Sequence, residues 1–126
     1  MVKVLIVEDD ADLRDIMAEA FSQHGHEVST AANGQEALDV LASEQSSLPD
    51  IVLLDLMMPV MDGWTFWEHM RRESRYASVP VVLLSAVPGL AREAAQLGAA
   101  GFLAKPAGID EMLGTVARVT ASPDGS

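Results

Sequence analysis

Apolar residues in this chain gather into short continuous runs separated by longer stretches of mixed character. Val4-Leu5-Ile6-Val7, Ile51-Val52-Leu53-Leu54, Val81-Val82-Leu83-Leu84 and Phe102-Leu103-Ala104 are the clearest. Runs of this length, apolar at every position, are the pattern of parallel strands covered on both faces. They predict strands over Val2–Val7, Ile51–Leu54, a fourth beginning at Pro80, and Gly101–Ala104, with a short second strand, Glu27–Ala31, following Gly25. The stretches between them repeat with helical spacing. Leu13, Ile16, Met17, Ala20 and Phe21 share one face of a helix that begins near Asp12 and is ended by Gly25. Asn33 is placed to cap a second helix with Ala37, Leu38 and Leu41 inward, and Asp62 a third with Trp64, Phe66, Trp67 and Met70. Pro88-Gly89 opens a short alanine-rich helix closed by Gly98, and the last helix turns Ile109, Met112, Leu113 and Val116 to one side. Ser46–Pro49 reads as a loop and Ser74–Ser78 as a polar connector.

Five strands alternating with five helices predict an α/β domain, a parallel sheet with helices on both faces in three layers. The chain has 126 residues, which is one domain able to bury roughly two thirds of its unfolded surface without staples. Residues 2–120 are expected to form it, with 121–126 as a polar tail or linker stub. The absence of cysteine excludes disulfides and thiolate metal sites and fits a reducing cytoplasm. No apolar run is long enough to span a membrane. The N-terminus enters a strand at once, leaving no room for a signal peptide. Nineteen acidic against eight basic side chains give a net charge of −11, which opposes direct binding to nucleic acid.

The chemistry lies where the strands end, since open α/β sheets place their sites beyond the carboxyl ends of the strands. The first run closes on Glu8-Asp9-Asp10, the next on Asp55, the third on Ser85 and the last on Lys105-Pro106. Carboxylates, a hydroxyl and an ammonium on one rim can hold a divalent cation beside a phosphoryl group. Clustered carboxylates repel, so one must take a proton or a cation must sit among them. Mg²⁺ prefers oxygen ligands and commonly bridges carboxylate and phosphate.

These pieces, with Met58-Pro59, Asp62-Gly63, Ser85-Ala86 and Gly98-Ala99 in the same order, make the chain resemble the receiver domain of two-component response regulators. The resemblance covers residues 2 to about 120. It implies a flavodoxin-like, doubly wound sheet of order 2-1-3-4-5, and a signalling phosphoacceptor rather than an enzyme acting on outside substrates. Asp55 would take a phosphoryl group from a histidine kinase or histidine phosphotransfer protein. Asp9 would bind Mg²⁺ directly, Glu8 through water, and Asp55 and the backbone carbonyl of Met57 would complete the protein ligands. Lys105 and Ser85 would assist transfer, and Ser85 and Phe102 would form the switch. Pro59 and Gly63 would shape the loop after Asp55, and Lys105-Pro106 would be a cis peptide. The downstream target is left unspecified.

Several positions carry a plainer reading. Asp10 or Asp12 caps the first helix. Core packing is the lesser alternative for Phe102, and Trp64 and Trp67 read as packing. Met58 and Met61 read as packing around Pro59. His24, His26 and His69 have no ligand spacing and read as surface residues, which argues against the phosphohistidine side of a relay. A Mg²⁺-dependent aspartyl-phosphate phosphatase would want a second acid at position 57, where the chain has Met. A flavin or nucleotide protein of this fold would want a phosphate loop where Glu8-Asp9-Asp10 stand. A scaffold that keeps the fold without switching is opposed by the complete acidic set. The chain departs from the receiver pattern in having Ser85 for the commoner threonine, a shorter stretch before Lys105, and apolar Met57 and Val87 beside the site.

Overall fold

The computed structural model describes residues 2–43 and 48–121. Five strands, β1 (Lys3–Val7), β2 (Glu27–Ala31), β3 (Ile51–Leu54), β4 (Val81–Ser85) and β5 (Gly101–Ala104), alternate with α1 (Ala11–Gln23), α2 (Gly34–Ser43), α3 (Gly63–Arg72), α4 (Leu90–Leu97) and α5 (Ile109–Thr120). All pairings are parallel and the order is β2-β1-β3-β4-β5. This is the doubly wound, flavodoxin-like order that the resemblance implied, and the parallel sheet with helices on both faces that the alternation predicted. Ser46 and Ser47 of the expected loop, and residues 122–126 of the expected tail, lie outside the described residues.

Because side chains alternate along a strand, each central strand feeds two cores. Leu5, Val7, Val52, Leu54, Val81 and Leu83 pack with Ala37, Leu41, Phe66, Trp67 and Met70 on the side of α2 and α3. Val4, Ile6, Ile51, Leu53, Val82, Leu84 and Leu103 pack with Met17, Phe21, Met112 and Val116 on the side of α1 and α5. Burial on both faces is why these strands are apolar at every position.

The caps fall on the expected side chains. Asp10 accepts from Leu13 N, Asn33 from Glu36 N and Asp62 from Thr65 N. The expected helix face of α1 is narrower than its spacing suggested: Ile16 is 54% exposed, because the sheet-facing arc is filled by Met17 and Phe21. The connector after α3, read as polar, buries Tyr76 and Val79 against the core. Arg71 secures it by lying over the Trp67 ring and donating to the Ala77 carbonyl. Met58 and Met61 reach beyond Pro59 and pack on the α2–α3 core. His26 is half-buried with its ring against Phe21, and its Nδ1 accepts from Val2 N.

Candidate acidic phosphoryl and metal site

Register decides which side chains meet. Val7 pairs with Leu54, so Glu8 and Asp55 leave adjacent strands at the same level. Ser85 pairs with Ala104, so Lys105 begins one residue beyond it. The backbone holds these ends in place: Glu8 N donates to Ala31 O, Asp55 N to Val7 O and Lys105 N to Ser85 O, each at 3.0 Å.

Lys105 Nζ lies 2.8 Å from Asp55 Oδ2 and 2.8 Å from Glu8 Oε1. The first contact is a directed hydrogen bond and the second an ion pair outside hydrogen-bond geometry. Glu8, Asp55 and Ser85 are almost wholly buried, whereas Asp9 is exposed. Asp55 Oδ1 accepts from Met57 N at 3.0 Å, and Glu8 Oε2 accepts from Asp10 N. Oxygens of Glu8, Asp9 and Asp55 all lie within 4.8 Å of one another. Burial pushes the Glu8 carboxyl above the ordinary carboxylate range, more than its contacts with Lys105 and Asp10 N pull it down. Burial would lower the Lys105 ammonium, but its hydrogen bond to Asp55 and its ion pair with Glu8 together outweigh this and raise it.

An all-oxygen donor set at this spacing, buried on one side and open at Asp9, fits a small hard cation. Ser85 Oγ is buried without a hydrogen-bond partner among the described residues, so a polar group is held ready at the rim.

The loop after Asp55 is tight. Gly63 starts α3 directly against it: a Cβ there would stand 2.4 Å from Asp55 O and 2.7 Å from Leu56 Cα. Met61 N donates to Pro59 O at 2.7 Å across Val60, whose φ is 68° and whose side chain is 84% exposed. The Lys105–Pro106 peptide is cis. Phe102 is 46% exposed, so its reading as core is overturned; its neighbour Leu103, on the opposite face of the same edge strand, is buried.

Two contacts were not foreseen from sequence. Arg14 Nη1 donates to the Glu8 carbonyl at 2.8 Å, and Trp64 Nε1 donates to Glu93 Oε1 at 2.8 Å. Arg14 stands four residues past the Asp10 cap, and this one-turn spacing could have placed it near the rim.

The family model for the response regulator receiver domain matches residues 4–117. The chain belongs to the response regulator receiver family. A probable transcriptional regulator, ycf27, of Guillardia theta is 39% identical over 106 residues, covering 82% of this chain and 39% of that protein. Response regulator MprA of Mycolicibacterium vanbaalenii is 35% identical over 99% of this chain and 54% of its own length. The receiver therefore spans about half, or less, of these curated relatives. Among solved structures, chemotaxis response regulator CheY4 of Vibrio cholerae superposes with a TM-score of 0.82 at 36% identity, covering 94% of this chain and 98% of that one. The receiver domain of the Francisella response regulator 1452 gives 0.83 at 28% identity, over 96% and 98%. No helix among the described residues is long and apolar enough to cross a membrane.

Proposed function

We propose that this receiver accepts a phosphoryl group on Asp55 from a phosphohistidine of a histidine kinase or phosphotransfer protein, and that it signals through the resulting change in shape. The observation that carries this reading is the buried Asp55 carboxylate, held at one oxygen by Lys105 Nζ and at the other by Met57 N. A carboxylate oxygen attacks phosphorus, the N–P bond breaks, and the imidazole leaves with the bonding pair. Such transfer is governed by positioning and by neutralising the phosphoryl oxygens. Lys105 supplies a fixed positive charge and Ser85 a hydroxyl donor. Mg²⁺ held by Asp9, Asp55 and the Met57 carbonyl, with Glu8 through water, would neutralise the remaining charge.

After transfer, the Ser85 hydroxyl gains a charged acceptor at Asp55 and moves toward it. Phe102, exposed on β5, then has space to turn inward. The cycle is self-limited, with the domain acting on its own acyl phosphate and on no outside substrate. The phosphatase reading is disfavoured because position 57, where it wants a second acid, holds an exposed Met.

Several relatives are named as transcriptional regulators and are about twice as long or more. We place this receiver as the input unit of such a regulator in the cytoplasm, any DNA contact being made by another domain, since a net charge of −11 opposes it here. The test is intact mass after acetyl phosphate with Mg²⁺. One phosphoryl group is expected on the wild type, and none on Asp55→Asn or in chelator. Equal labelling of Asp55→Asn would overturn the assignment.

A further inference from the structure

Trp64 and Glu93 are half-buried and face each other across the groove between α3 and α4. An indole N–H only donates, so its one hydrogen bond is either made to this carboxylate or exchanged for water. The bond joins the two helices that follow the loops after Asp55 and Ser85. Trp64 follows Gly63, whose N–H donates to Leu56 O directly after Asp55. Glu93 lies in the first turn of α4, which the segment Ala86–Gly89 connects to Ser85.

Otherwise α4 is held by a small apolar face, Leu90, Ala94 and the partly buried Leu97. It has eight residues, far too few to be stable alone. Its N-cap is Gly89 with φ 70°, which offers no side-chain cap. Leu90 and Ala94 are its buried residues. A charge-assisted bond from a neighbouring helix adds a directed restraint to that small apolar contact.

We propose that the Trp64–Glu93 bond is a latch that holds α4 in its unphosphorylated position and thereby opposes occupation of the site. The coupling rests on the phosphoacceptor reading of Asp55. Drawing Ser85 toward a phosphoryl group pulls on Ala86–Gly89 and through it on the first turn of α4. The latch resists that pull, and a contact that favours one state must weaken any ligand that selects the other.

The experiment compares wild type, Glu93→Ala, Glu93→Gln, Trp64→Phe and Trp64→Phe/Glu93→Ala in one common background. Hydrogen exchange of α4 amides is measured without ligand, and beryllofluoride affinity is measured in Mg²⁺. Glu93→Ala and Trp64→Phe should speed exchange in α4 while leaving β1 and β3 unchanged, and should tighten beryllofluoride binding about fivefold or more. Glu93→Gln keeps an acceptor and should fall between wild type and Glu93→Ala. The double variant Trp64→Phe/Glu93→Ala should add nothing to either single change.

Unchanged α4 exchange would show that the bond positions nothing. Faster exchange with equal or weaker beryllofluoride affinity would overturn the latch while leaving the phosphoacceptor reading intact. Failure of the wild type to bind beryllofluoride would instead sink the phosphoacceptor reading, and the coupling with it.

Discussion

The ammonium of Lys105 reaches Asp55 Oδ2 at 2.8 Å across the width of β4. A side chain from the edge strand thus neutralises the carboxylate of the central one. Replacing Lys105 by Gln leaves Glu8 and Asp55 buried and facing each other without a cation. Breaking a buried pair costs up to about 3–5 kcal/mol. Lys105 retains some solvent access, so a loss of about 1–3 kcal/mol is expected for Lys105→Gln in chelator at neutral pH. Urea unfolding with and without Mg²⁺ checks this, with the cation restoring most of the deficit. A variant as stable as wild type in chelator would show that the ion pair carries no stability.

Glu8 sets the pH dependence of the metal-free domain. Its carboxyl is raised in the folded state by burial, so the folded protein holds its proton where the unfolded chain has lost it. The sign follows from linkage: the contribution is fully present below the unfolded value near 4.5 and is lost as pH rises through the folded value. Glu8→Gln, which imitates the protonated form, should therefore be more stable than wild type at neutral pH in chelator. The gap should close as pH falls toward 4.5. Lys105 is raised by its carboxylate partners, so its contribution is present below about 10.5 and lost as pH rises through its folded value. Denaturant midpoints across this range read both effects.

Gly63→Ala should act on the site as well as on stability. The new methyl would overlap the Asp55 carbonyl and Leu56 Cα, which are backbone atoms and cannot rotate away. A cost of about 1–3 kcal/mol is expected, with weaker beryllofluoride binding because Asp55 itself is displaced. Gly25→Ala is the control: it has free space but a φ of 86°, so it should lose stability and keep its affinity.

Val60 should be improvable. A β-branched residue at φ 68° in the three-residue turn closed by Met61 N and Pro59 O is strained. Asn tolerates that region far better, and the Val60 side chain is mostly exposed. Val60→Asn should gain about 1 kcal/mol in thermal or urea unfolding. No gain would mean that the turn relaxes around valine without cost.

The fold was readable because the central strands β1, β3 and β4 are buried on both faces and therefore advertise themselves as apolar runs, whereas the edge strand β2 has no such run. The acids, Ser85 and Lys105 were readable because each run stops at one of them. Periodicity does not say how wide the covered arc of a helix is, which is why Ile16 was expected inside and lies outside. Nor does it reveal partners brought together by packing. Nothing local in Glu93 or Trp64 marks them as a pair, and Arg14 reaches a backbone carbonyl that has no sequence signature. The positive φ of Val60 likewise has no signature in a β-branched residue.

The strand order has a consequence for a chain still being made. Glu8 and Asp55 come together as soon as β1 and β3 pair, but their counter-charge arrives fifty residues after Asp55, on the edge strand laid down last. Until β5 docks, a half-built sheet must keep its two acids hydrated or protonated, which discourages early closure of the pair. A polypeptide released before Lys105 would thus hold every acid of the site and none of its neutralising charge. Completion of the sheet and readiness for chemistry are reached in the same step.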